Sequence, residues 1–438
     1  MLKILYILPV FLLLSACSGD DWFGEEKKLD VPGKRISVLS HEQKSDSDNK
    51  SAVKVELSAP VAAEEWQQSG RIPSHVLDNF KFSANPLLRW SHSIGKGSTY
   101  RLRLLSEPVV AGGIVYAFDA VGVLSAYELA SGRKLWNKKL VTSTDDMSLV
   151  GAGIAYDGGN LFVTTGLGAV IAIDAQTQEI LWEKNLGAPI RSASTVSGGK
   201  LYVLTADSRI TALKSKDGSK IWDYASIPET TMVLGGASPA VSNGIVVAVF
   251  PSGEIMAFTA DKGGLLWSDA LSGSKKAEGL SAIMDIVARP IIRGNTVYVA
   301  GYSSTTSAFD LKSGDMKWSR EISGASNPVL IDGYMFFITG DTNLIALEVA
   351  TGKTIWVRDL PRYENEEDKK GRITWKGPLV LNSKILIVGT YGEMAFLDPK
   401  NGNLLSREKV AKSIGISPIY ADGKRVLLNS EAELMVYE

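Results

Sequence analysis

Residues 108–136 read PVVAGGIVYAFDAVGVLSAYELASGRKLW, and this stretch decides the fold because the chain repeats it. In every close copy the same number of residues separates an initial Pro from a final Trp. The close copies run from 239 to 267, from 290 to 318 and from 328 to 356. Degenerate copies of the same length run from 154 to 182, from 194 to 222 and from 378 to 406, where Ser406 replaces the Trp, and a partial copy begins at 418.

Each copy predicts four short antiparallel strands. The first strand is apolar and ends at a turn such as Asn243-Gly244, which is a strong hairpin signal, and the second is β-branched and aromatic. The third strand carries a small residue at a fixed place, such as Ala308, and the fourth holds the Trp. We expect the small residue and the large ring to pack together where blades stack. Four antiparallel strands in roughly 40–50 residues are typical of a propeller blade.

The number of copies predicts a closed ring. Seven copies are complete, and the last copy lacks its fourth strand. A strand-like stretch, LLRWS at 87–91, lies upstream of the first copy and can supply it. The sequence therefore predicts an all-β fold over residues 85–438, an eight-bladed β-propeller of four-stranded antiparallel blades. An N-terminal strand would close the ring and remove the free sheet edges. Seven blades is the alternative if the last copy is not a true blade.

The N-terminus carries a targeting segment in residues 1–16. An apolar run at 4–14 follows Lys3 and is too short to span a bilayer, which needs about 20 residues. The run ends in Leu-Ser-Ala before Cys17, which is typical of a bacterial lipoprotein signal. Cys17 is the only Cys and is predicted to be lipidated as the mature N-terminus; the alternative is a chance Cys after an ordinary secretory signal. By resemblance to Gram-negative lipoproteins, in which Asp after the lipidated Cys would favour retention in the inner membrane, Ser18 instead implies export to the outer membrane.

Residues 17–84 are predicted to be the lipidated N-terminus and a polar tether. The stretch at 40–51, SHEQKSDSDNKS, has no apolar periodicity and indicates disorder. The part at 59–82 contains scattered aromatic residues. It fits either a short helix against the propeller or a loose linker.

The connectors between copies vary in length, whereas the copies do not. In a propeller these connectors emerge on one face, and insertions gathered on one face mark a binding face. The longest connectors are 268–289 and 357–377. The connector 223–238 carries the apolar run Met232, Val233 and Leu234, which fits either a binding loop or an early start of the inner strand.

Composition and motifs point away from several classes of function. A net charge of −1 gives no bulk field that would attract nucleic acid. The three His residues, at 41, 75 and 92, lack metal-ligand spacing with each other or with the Cys. An Asp such as Asp310 recurs before a Gly-bearing turn, which indicates turn hydrogen bonding. The sequence predicts no catalytic residue, cofactor or metal.

The repeat resembles a known family of propellers. The pattern Ala-x-Asp-x-x-x-Gly-x-x-x-Trp at 308–318 is similar to the tryptophan-docking signature of pyrroloquinoline-quinone-type propellers. Quinone dehydrogenases of this kind typically hold a disulfide of adjacent Cys over the cofactor, calcium ligands and a catalytic Asp. The presence of a single Cys argues against that chemistry, and a quinoprotein dehydrogenase is kept as the enzyme alternative.

The lipoprotein signal, the tether and the propeller together resemble the BamB family, the propeller lipoproteins of the outer-membrane β-barrel assembly machine. The segments LSAIMDIVARP at 280–290 and LPRYENEEDKK at 360–370 look like alphaproteobacterial members. The resemblance implies a non-enzymatic scaffold, lipid-anchored on the periplasmic face of the outer membrane. It would bind the periplasmic POTRA domains of the barrel-forming subunit BamA, with unfolded outer-membrane proteins as further candidate clients. A lipoprotein that senses a ligand in the central funnel is a third hypothesis.

In that family the contact surface lies on the connectors before two successive blades. By resemblance the first connector contributes Thr231, Val233 and Leu234, with Leu where the family has Arg. The second contributes Asp285, with Val287 where a second acidic residue is expected. Together with Met232, these residues are the predicted partner-binding site.

Overall fold

Strands make up the regular secondary structure of the described residues. The computed structural model describes residues 52–83, 86–99, 102–141, 153–227, 236–271, 288–301, 305–410 and 413–438, which all belong to one compact unit. Within these ranges there are 34 strands and no helix, and hence no helix that could cross a membrane. The described strands form eight four-stranded antiparallel sheets and one two-stranded hairpin, which confirms the predicted eight-bladed propeller.

The first four blades follow one another along the chain, and each pairs its strands in sequence order. Blade 1 contains β2 (Val109–Ala111), β3 (Ile114–Phe118), β4 (Val123–Glu128) and β5 (Lys134–Lys139). Blade 2 contains β6 (Gly153–Asp157), β7 (Asn160–Thr164), β8 (Ala169–Asp174) and β9 (Ile180–Asn185). Blade 3 contains β10 (Thr195–Ser197), β11 (Lys200–Thr205), β12 (Arg209–Lys214) and β13 (Lys220–Ala225). Blade 4 contains β14 (Ala240–Ser242), β15 (Ile245–Val249), β16 (Glu254–Thr259) and β17 (Leu265–Ala270).

The next three blades repeat this order, with a hairpin inserted between blades 6 and 7. Blade 5 contains β18 (Ile291–Arg293), β19 (Thr296–Ala300), β20 (Thr306–Asp310) and β21 (Met316–Arg320). Blade 6 contains β22 (Val329–Ile331), β23 (Tyr334–Ile338), β24 (Asn343–Glu348) and β25 (Thr354–Asp359). The hairpin contains β26 (Tyr363–Asn365) and β27 (Lys370–Arg372). Blade 7 contains β28 (Trp375–Leu381), β29 (Lys384–Gly389), β30 (Glu393–Leu397) and β31 (Leu404–Lys409).

Blade 8 combines strands from the two ends of the described chain. Its first three strands are β32 (Ile419–Ala421), β33 (Lys424–Leu428) and β34 (Glu433–Tyr437), and its fourth is β1 (Leu88–Ser93). β1 runs antiparallel to β34, with Trp90 opposite Val436. The backbones of Leu87 and Glu438 also exchange two hydrogen bonds of 2.9 and 3.1 Å, so the ladder extends to the last residue.

The turns between first and second strands have the geometry that their sequences predict. Asn243 and Gly244 both adopt positive φ, at 51° and 72°, while Ser242 pairs with Ile245 across the two-residue loop. Two successive positive φ values define the type I′ turn, whose twist matches that of the flanking strands. The Asn-Gly sequence is therefore favoured by the conformation of the loop.

The core lies between the blades. Val246 packs into the layer between blades 3 and 4, whereas the next residue, Val247, packs into the layer between blades 4 and 5. Since successive side chains of a strand point to opposite faces, a sheet covered on both sides needs apolar residues at every position. This explains the continuous apolar run from Ile245 to Val249, in which every residue is buried.

Candidate functional site

The tryptophan of the repeat fastens one blade to the next. Trp318 lies opposite Ala308 in its own blade, so the predicted small-residue contact is within a blade. The indole Nε1 of Trp318 donates a 2.9 Å hydrogen bond to the carbonyl of Val349 in the following blade. Its ring covers Gly352, where a Cβ would lie 2.5 Å from Cε3, and Gly352 has φ +67°. A glycine is therefore required at this turn.

The same docking recurs around the ring. Each indole donates to a carbonyl of the next blade's third-to-fourth strand turn, at 2.8–3.1 Å: Trp90 to Leu129, Trp182 to Ser215, Trp222 to Ala260, Trp267 to Leu311, and Trp356 to Pro399.

Two blades depart from this pattern. Beside Trp136, the turn of blade 2 holds Gln178 at φ 65° in place of glycine, and no described residue accepts a hydrogen bond from that indole. Ser406 takes the tryptophan position in blade 7. The next blade has no third-to-fourth turn, because β34 and β1 come from opposite ends of the chain. No docking site exists there, which explains why a tryptophan is not needed.

Residues 52–83 cross one end of the central channel, and we call this segment the plug. It has no helix and only isolated β-bridges, so its extended path differs from the short helix that the sequence allowed. Its backbone bonds to the first strands or first turns of six blades: Trp66 to Val110, Gln67 to Tyr156, Pro73 to Val241, Ser74 to Ile292, Phe80 to Val380, and Ala63 to Asp422. The Gln68 side chain reaches Val196 of blade 3, and Lys54 accepts from Tyr334 of blade 6. The plug thus touches all eight blades.

The aromatic residues of the plug belong to the core. Phe80 is fully buried and stacks on Tyr420 of blade 8, with ring centroids 4.7 Å apart. Trp66 is 2% exposed and packs against Phe80 at 6.2 Å. The Arg71 guanidinium lies 5.4 Å above the Phe80 ring. These contacts differ from the loose linker that the sequence of residues 59–82 also allowed.

The plug lies on the face of the ring opposite the one from which the described fourth strands lead into the connectors. Asn343, at the start of a third strand, pairs with Asp359, at the end of the fourth, so connectors leave from the end that carries the second-to-third turns. The plug bonds to first-to-second turns, for example through the backbone N–H of Ser58, which donates to the Asp332 carboxylate at 2.7 Å. Successive antiparallel strands place these two sets of turns at opposite ends of a blade.

A buried ion pair joins the plug to the channel wall. Arg289 of blade 5 contacts Glu107 of blade 1 at 2.8 Å, and their side chains are 10% and 14% exposed. Arg289 also donates to the Ser69 hydroxyl of the plug, which in turn donates to Glu107 at 3.2 Å. Because a buried charge is costly unless it is paired, this network fixes the position of Ser69 in the channel.

His75 of the plug is a buried neutral histidine. Burial above all, and then the charge of Arg289, lower the pKa of His75 to about 3, although a bond to the Pro290 carbonyl opposes the shift. Its Nδ1 lies 2.8 Å from that carbonyl, which can only accept, so Nδ1 carries the proton. The ring packs against Gly70, where an added Cβ would lie 2.8 Å from His75 Cδ2, and Gly70 also has a positive φ of +72°.

A cavity of about 180 Å³ occupies the channel beside the ion pair. The charged residues on its described wall are Glu107, Arg191, Arg289 and Lys376. Burial lowers the pKa of Lys376, and the negative charge of Glu107 partly opposes this. The wall residues share a position in the repeat that the sequence analysis did not recognise. Six of them directly precede the first residue of a repeat copy: Glu107, Ala193, Ser238, Arg289, Asn327 and Ser417.

Comparison with known proteins identifies the family. The family model described as "Outer membrane protein assembly factor BamB" matches residues 120–358, more than half of the chain. The chain belongs to the BamB family.

Individual BamB proteins are similar to this chain over most of their length. The chain is 24% identical over 349 residues to the outer membrane protein assembly factor BamB of Moranella endobia, covering 78% of this chain and 87% of the relative. The crystal structure of BamB from Moraxella catarrhalis superimposes with a TM-score of 0.65 at 20% identity, covering 78% of this chain and 99% of that chain. A quinohemoprotein alcohol dehydrogenase from Comamonas testosteroni gives a TM-score of 0.67 at 14% identity, covering 85% and 80% of the two chains, which shows a shared fold alone.

The described cavity of this BamB-family chain does not fit a calcium ion of the kind that quinone dehydrogenases are expected to hold. Within the described ranges, no group of three or more His, Cys, Asp or Glu side chains could hold a metal. Ca²⁺ takes 6–8 oxygen ligands, commonly with several carboxylates. Glu107 is engaged by Arg289, and the other charged wall residues, Arg191 and Lys376, are cations.

The residues predicted from the BamB resemblance lie outside the described parts of the chain. They are Cys17, Thr231, Met232, Val233, Leu234 and Asp285. Of the two longest connectors, 357–377 is described and contains the hairpin β26–β27. Trp375 is 4% exposed, and its Nε1 donates to the Pro361 carbonyl at 2.8 Å, which anchors the hairpin base. The tip at 364–370 is exposed and rich in charge, with acidic residues preceding basic ones.

Proposed function

We propose that the chain is a non-enzymatic scaffold lipoprotein of the outer-membrane β-barrel assembly complex. It binds the periplasmic POTRA domains of a BamA-like subunit through its connector face and assists the insertion of barrel proteins. Membership of the BamB family is the observation that carries this proposal. The fold supports it, because a rigid ring of eight blades presents its connectors together on one face, while the plug occupies the other.

The proposal places the protein at the periplasmic face of the outer membrane. Cys17 carries the lipid anchor, and the residues between it and the plug form the tether. Stable anchoring needs more than one acyl chain, which a bacterial lipoprotein N-terminus provides.

The proposed interface combines two neighbouring connectors. Met232, Val233 and Leu234, with Thr231 beside them, supply apolar contact, and Asp285 supplies a charge at its edge. An apolar centre with a polar rim is the usual composition of a protein interface. The charged tip of the hairpin β26–β27 lies on the same face and extends the polar rim.

Direct binding tests this interface. In a titration of the full chain with the POTRA domains of the same organism's BamA homologue, Leu234→Asp should weaken binding about thirtyfold or more, since a buried anchor contributes about 2 kcal/mol or more. Asp285→Arg should act in the same direction. Leu265→Asp is the matched control, because Leu265 is 46% exposed on the outer strand of blade 4.

Thermal melting distinguishes an interface from a folding defect. If Leu234 belonged to the core, an introduced carboxylate would be buried without a partner and the variant would melt early. A Leu234→Asp protein that melts like the parent and binds POTRA domains normally would place the interface elsewhere. Failure of the parent chain itself to bind would reject the scaffold role.

A further inference from the structure

Exposed apolar side chains gather at one place in the blades. Thirteen large hydrophobic residues of the described ranges are exposed, and nine of these lie at or beside the start of a fourth strand, in blades 2, 4, 5, 7 and 8. Exposed apolar residues that are scattered singly over a surface need no explanation, whereas a contiguous patch marks an interaction site. Their common placement therefore points to an interaction surface.

The repeat places these residues at one height around the ring. All but Leu87 occupy the two positions before the fourth-strand Trp or its equivalent. Over the eight blades, these two positions hold eleven apolar residues, four basic residues, one Thr and no acidic residue. We call them the apolar belt. Aliphatic side chains with interspersed basic ones are the composition of surfaces that bind phospholipid.

The belt surrounds the face of the ring on which the plug lies. In blade 7, Ile385 pairs with Leu397, and Leu397 pairs with Leu404. The start of the fourth strand thus lies at the same end of the blade as the turn between the first and second strands. The plug bonds to turns of that kind, so the belt and the plug share one face.

The belt is most exposed in blades 7 and 8. Leu87 and Leu88 are 66% and 50% exposed, and Leu404 and Leu405 are 46% and 49% exposed. Blade 8 has no turn between its third and fourth strands, because β34 and β1 come from opposite ends of the chain. The turn that precedes these positions in the other blades therefore does not project beyond Leu87 and Leu88. We call these four residues the leucine edge.

Basic side chains flank the leucine edge. Arg89 follows Leu88 on β1, and Arg407 and Lys409 lie farther along β31. Arg89 pairs with Glu438 at 3.1 Å, and Arg407 pairs with Glu393 at 3.1 Å, so most of the binding energy must come from the leucines. Long basic side chains can keep their charges in water while their stems cover apolar surface, which suits a lipid headgroup layer.

The start of the plug indicates which apolar phase is near. The carbonyl of Lys54 accepts a 2.9 Å hydrogen bond from Tyr334, and Ser58 donates to Asp332. Both partners belong to blade 6, which precedes blade 7 in the ring. Thirty-four residues lie between Cys17 and Ala52, so a lipid on Cys17 would keep this part of the ring within about 120 Å of the membrane. Such a tether raises the effective concentration of the membrane at the leucine edge.

We propose that the leucine edge is a lipid-binding surface, which lies against the phospholipid leaflet that carries the anchor. The proposal rests on the proposed anchor at Cys17 and adds a second, non-covalent contact with the same membrane. It leaves the connector face directed away from that contact.

Binding to vesicles tests the leucine edge without the anchor. The protein is the mature chain with Cys17→Ser, made without residues 1–16, and the vesicles contain phosphatidylethanolamine and phosphatidylglycerol. Flotation should show saturable binding that is half complete at about 1 mM lipid or lower. The double variant Leu88→Asp/Leu405→Asp should bind about tenfold more weakly or less, because it removes two aliphatic side chains and adds negative charge.

A matched double variant on the far side of the ring is the control. Leu265→Asp/Leu266→Asp changes the same two positions in blade 4, which lies opposite blade 8, and these leucines are 46% and 43% exposed. It should bind vesicles as the parent does. Thermal melting checks that both variants fold, and Leu88→Ser/Leu405→Ser replaces the first variant if the aspartates prevent folding.

Two results would overturn the proposal. The first is a parent chain that stays unbound at about 10 mM lipid, ten times the expected midpoint. The second is a folded leucine-edge variant that binds as tightly as the parent, or no more weakly than the blade 4 control. Neither result touches the scaffold role, because titration with POTRA domains measures that role separately and should be the same for the parent and the leucine-edge variant. A missing lipid on Cys17 would not affect this assay, since the tested chain carries none.

Discussion

Replacing Phe80 with alanine tests whether the plug is part of the folded core. The Phe80 side chain is fully buried, stacks on Tyr420 and packs against Trp66. Its backbone bonds to Val380 and Asn382 remain in the variant, so the change isolates the ring. A Phe→Ala change in a core costs about 3 to 5 kcal/mol, through lost burial and the cavity left behind. The variant should therefore unfold at lower denaturant concentration.

Two measurements follow this loss. Guanidinium unfolding followed by tryptophan fluorescence reports the free energy of unfolding, and limited proteolysis reports local release of residues 52–83. A loss of about 3 kcal/mol raises the population of the released or unfolded state more than a hundredfold. Leu87→Ala is the control, because Leu87 is 66% exposed and should change stability by no more than about 0.5 kcal/mol. A Phe80→Ala protein that matches this control in both assays would refute the docked plug.

The remaining predictions concern the blade contacts, pH and the anchor. Trp318→Ala should lower the free energy of unfolding by about 3 to 5 kcal/mol, because it removes an indole that docks on the next blade. Trp136→Ala should lower it clearly less, because that indole is partly exposed and donates no hydrogen bond to a described residue. Equal losses of the two variants in chemical unfolding would contradict a stabilising role of the docked tryptophan. The pKa of His75 is lowered to about 3, so below pH 6.5 the unfolded chain binds a proton that the folded chain does not. Stability should fall as pH drops from 6.5 towards 3, by up to about 1.4 kcal/mol per pH unit from this residue, and His75→Gln should have a shallower pH slope. An unchanged slope would show that His75 titrates normally. Cys17→Ala should give an unlipidated or uncleaved protein; mass spectrometry of the native chain that finds an unmodified Cys17 at its mature end would reject the anchor.

The repeat predicted the blades because it contains both local and packing signals. Turns such as Asn243-Gly244 have the positive φ values that their residues favour, and the fourth-strand Trp docks on a glycine of the next blade. These signals recur at fixed spacing, so the structure predicted for one copy strengthens the same prediction for the others. Even the exception at Ser406 follows from topology, because the last blade has no turn that could receive an indole.

The plug could not be predicted in the same way. Its residues contact different blades one or two at a time, so the sequence of the plug has no repeating pattern that would predict these contacts. Trp66 and Phe80 were visible as isolated aromatic residues, but their partners are distant in sequence: Val110 for one and Tyr420 for the other. Long-range contacts of this kind depend on the closed ring, which no local pattern encodes.

The channel wall was missed for a different reason. Glu107 and Arg289 each stand directly before the first residue of a repeat copy, and Lys376 lies two residues before another. Aligning the copies one residue further upstream would have placed Glu107 and Arg289 on a common ring around the axis. Their pairing across the channel still requires the three-dimensional arrangement, since the two residues belong to blades 1 and 5.

The central claim is the scaffold role in outer-membrane protein assembly. Affinity purification of the native lipoprotein from its own outer membrane, followed by mass spectrometry, tests that claim most directly. A barrel protein with periplasmic POTRA domains should co-purify with the parent chain and should be depleted with Leu234→Asp. Purification of the intact, folded lipoprotein without any such barrel subunit would contradict it.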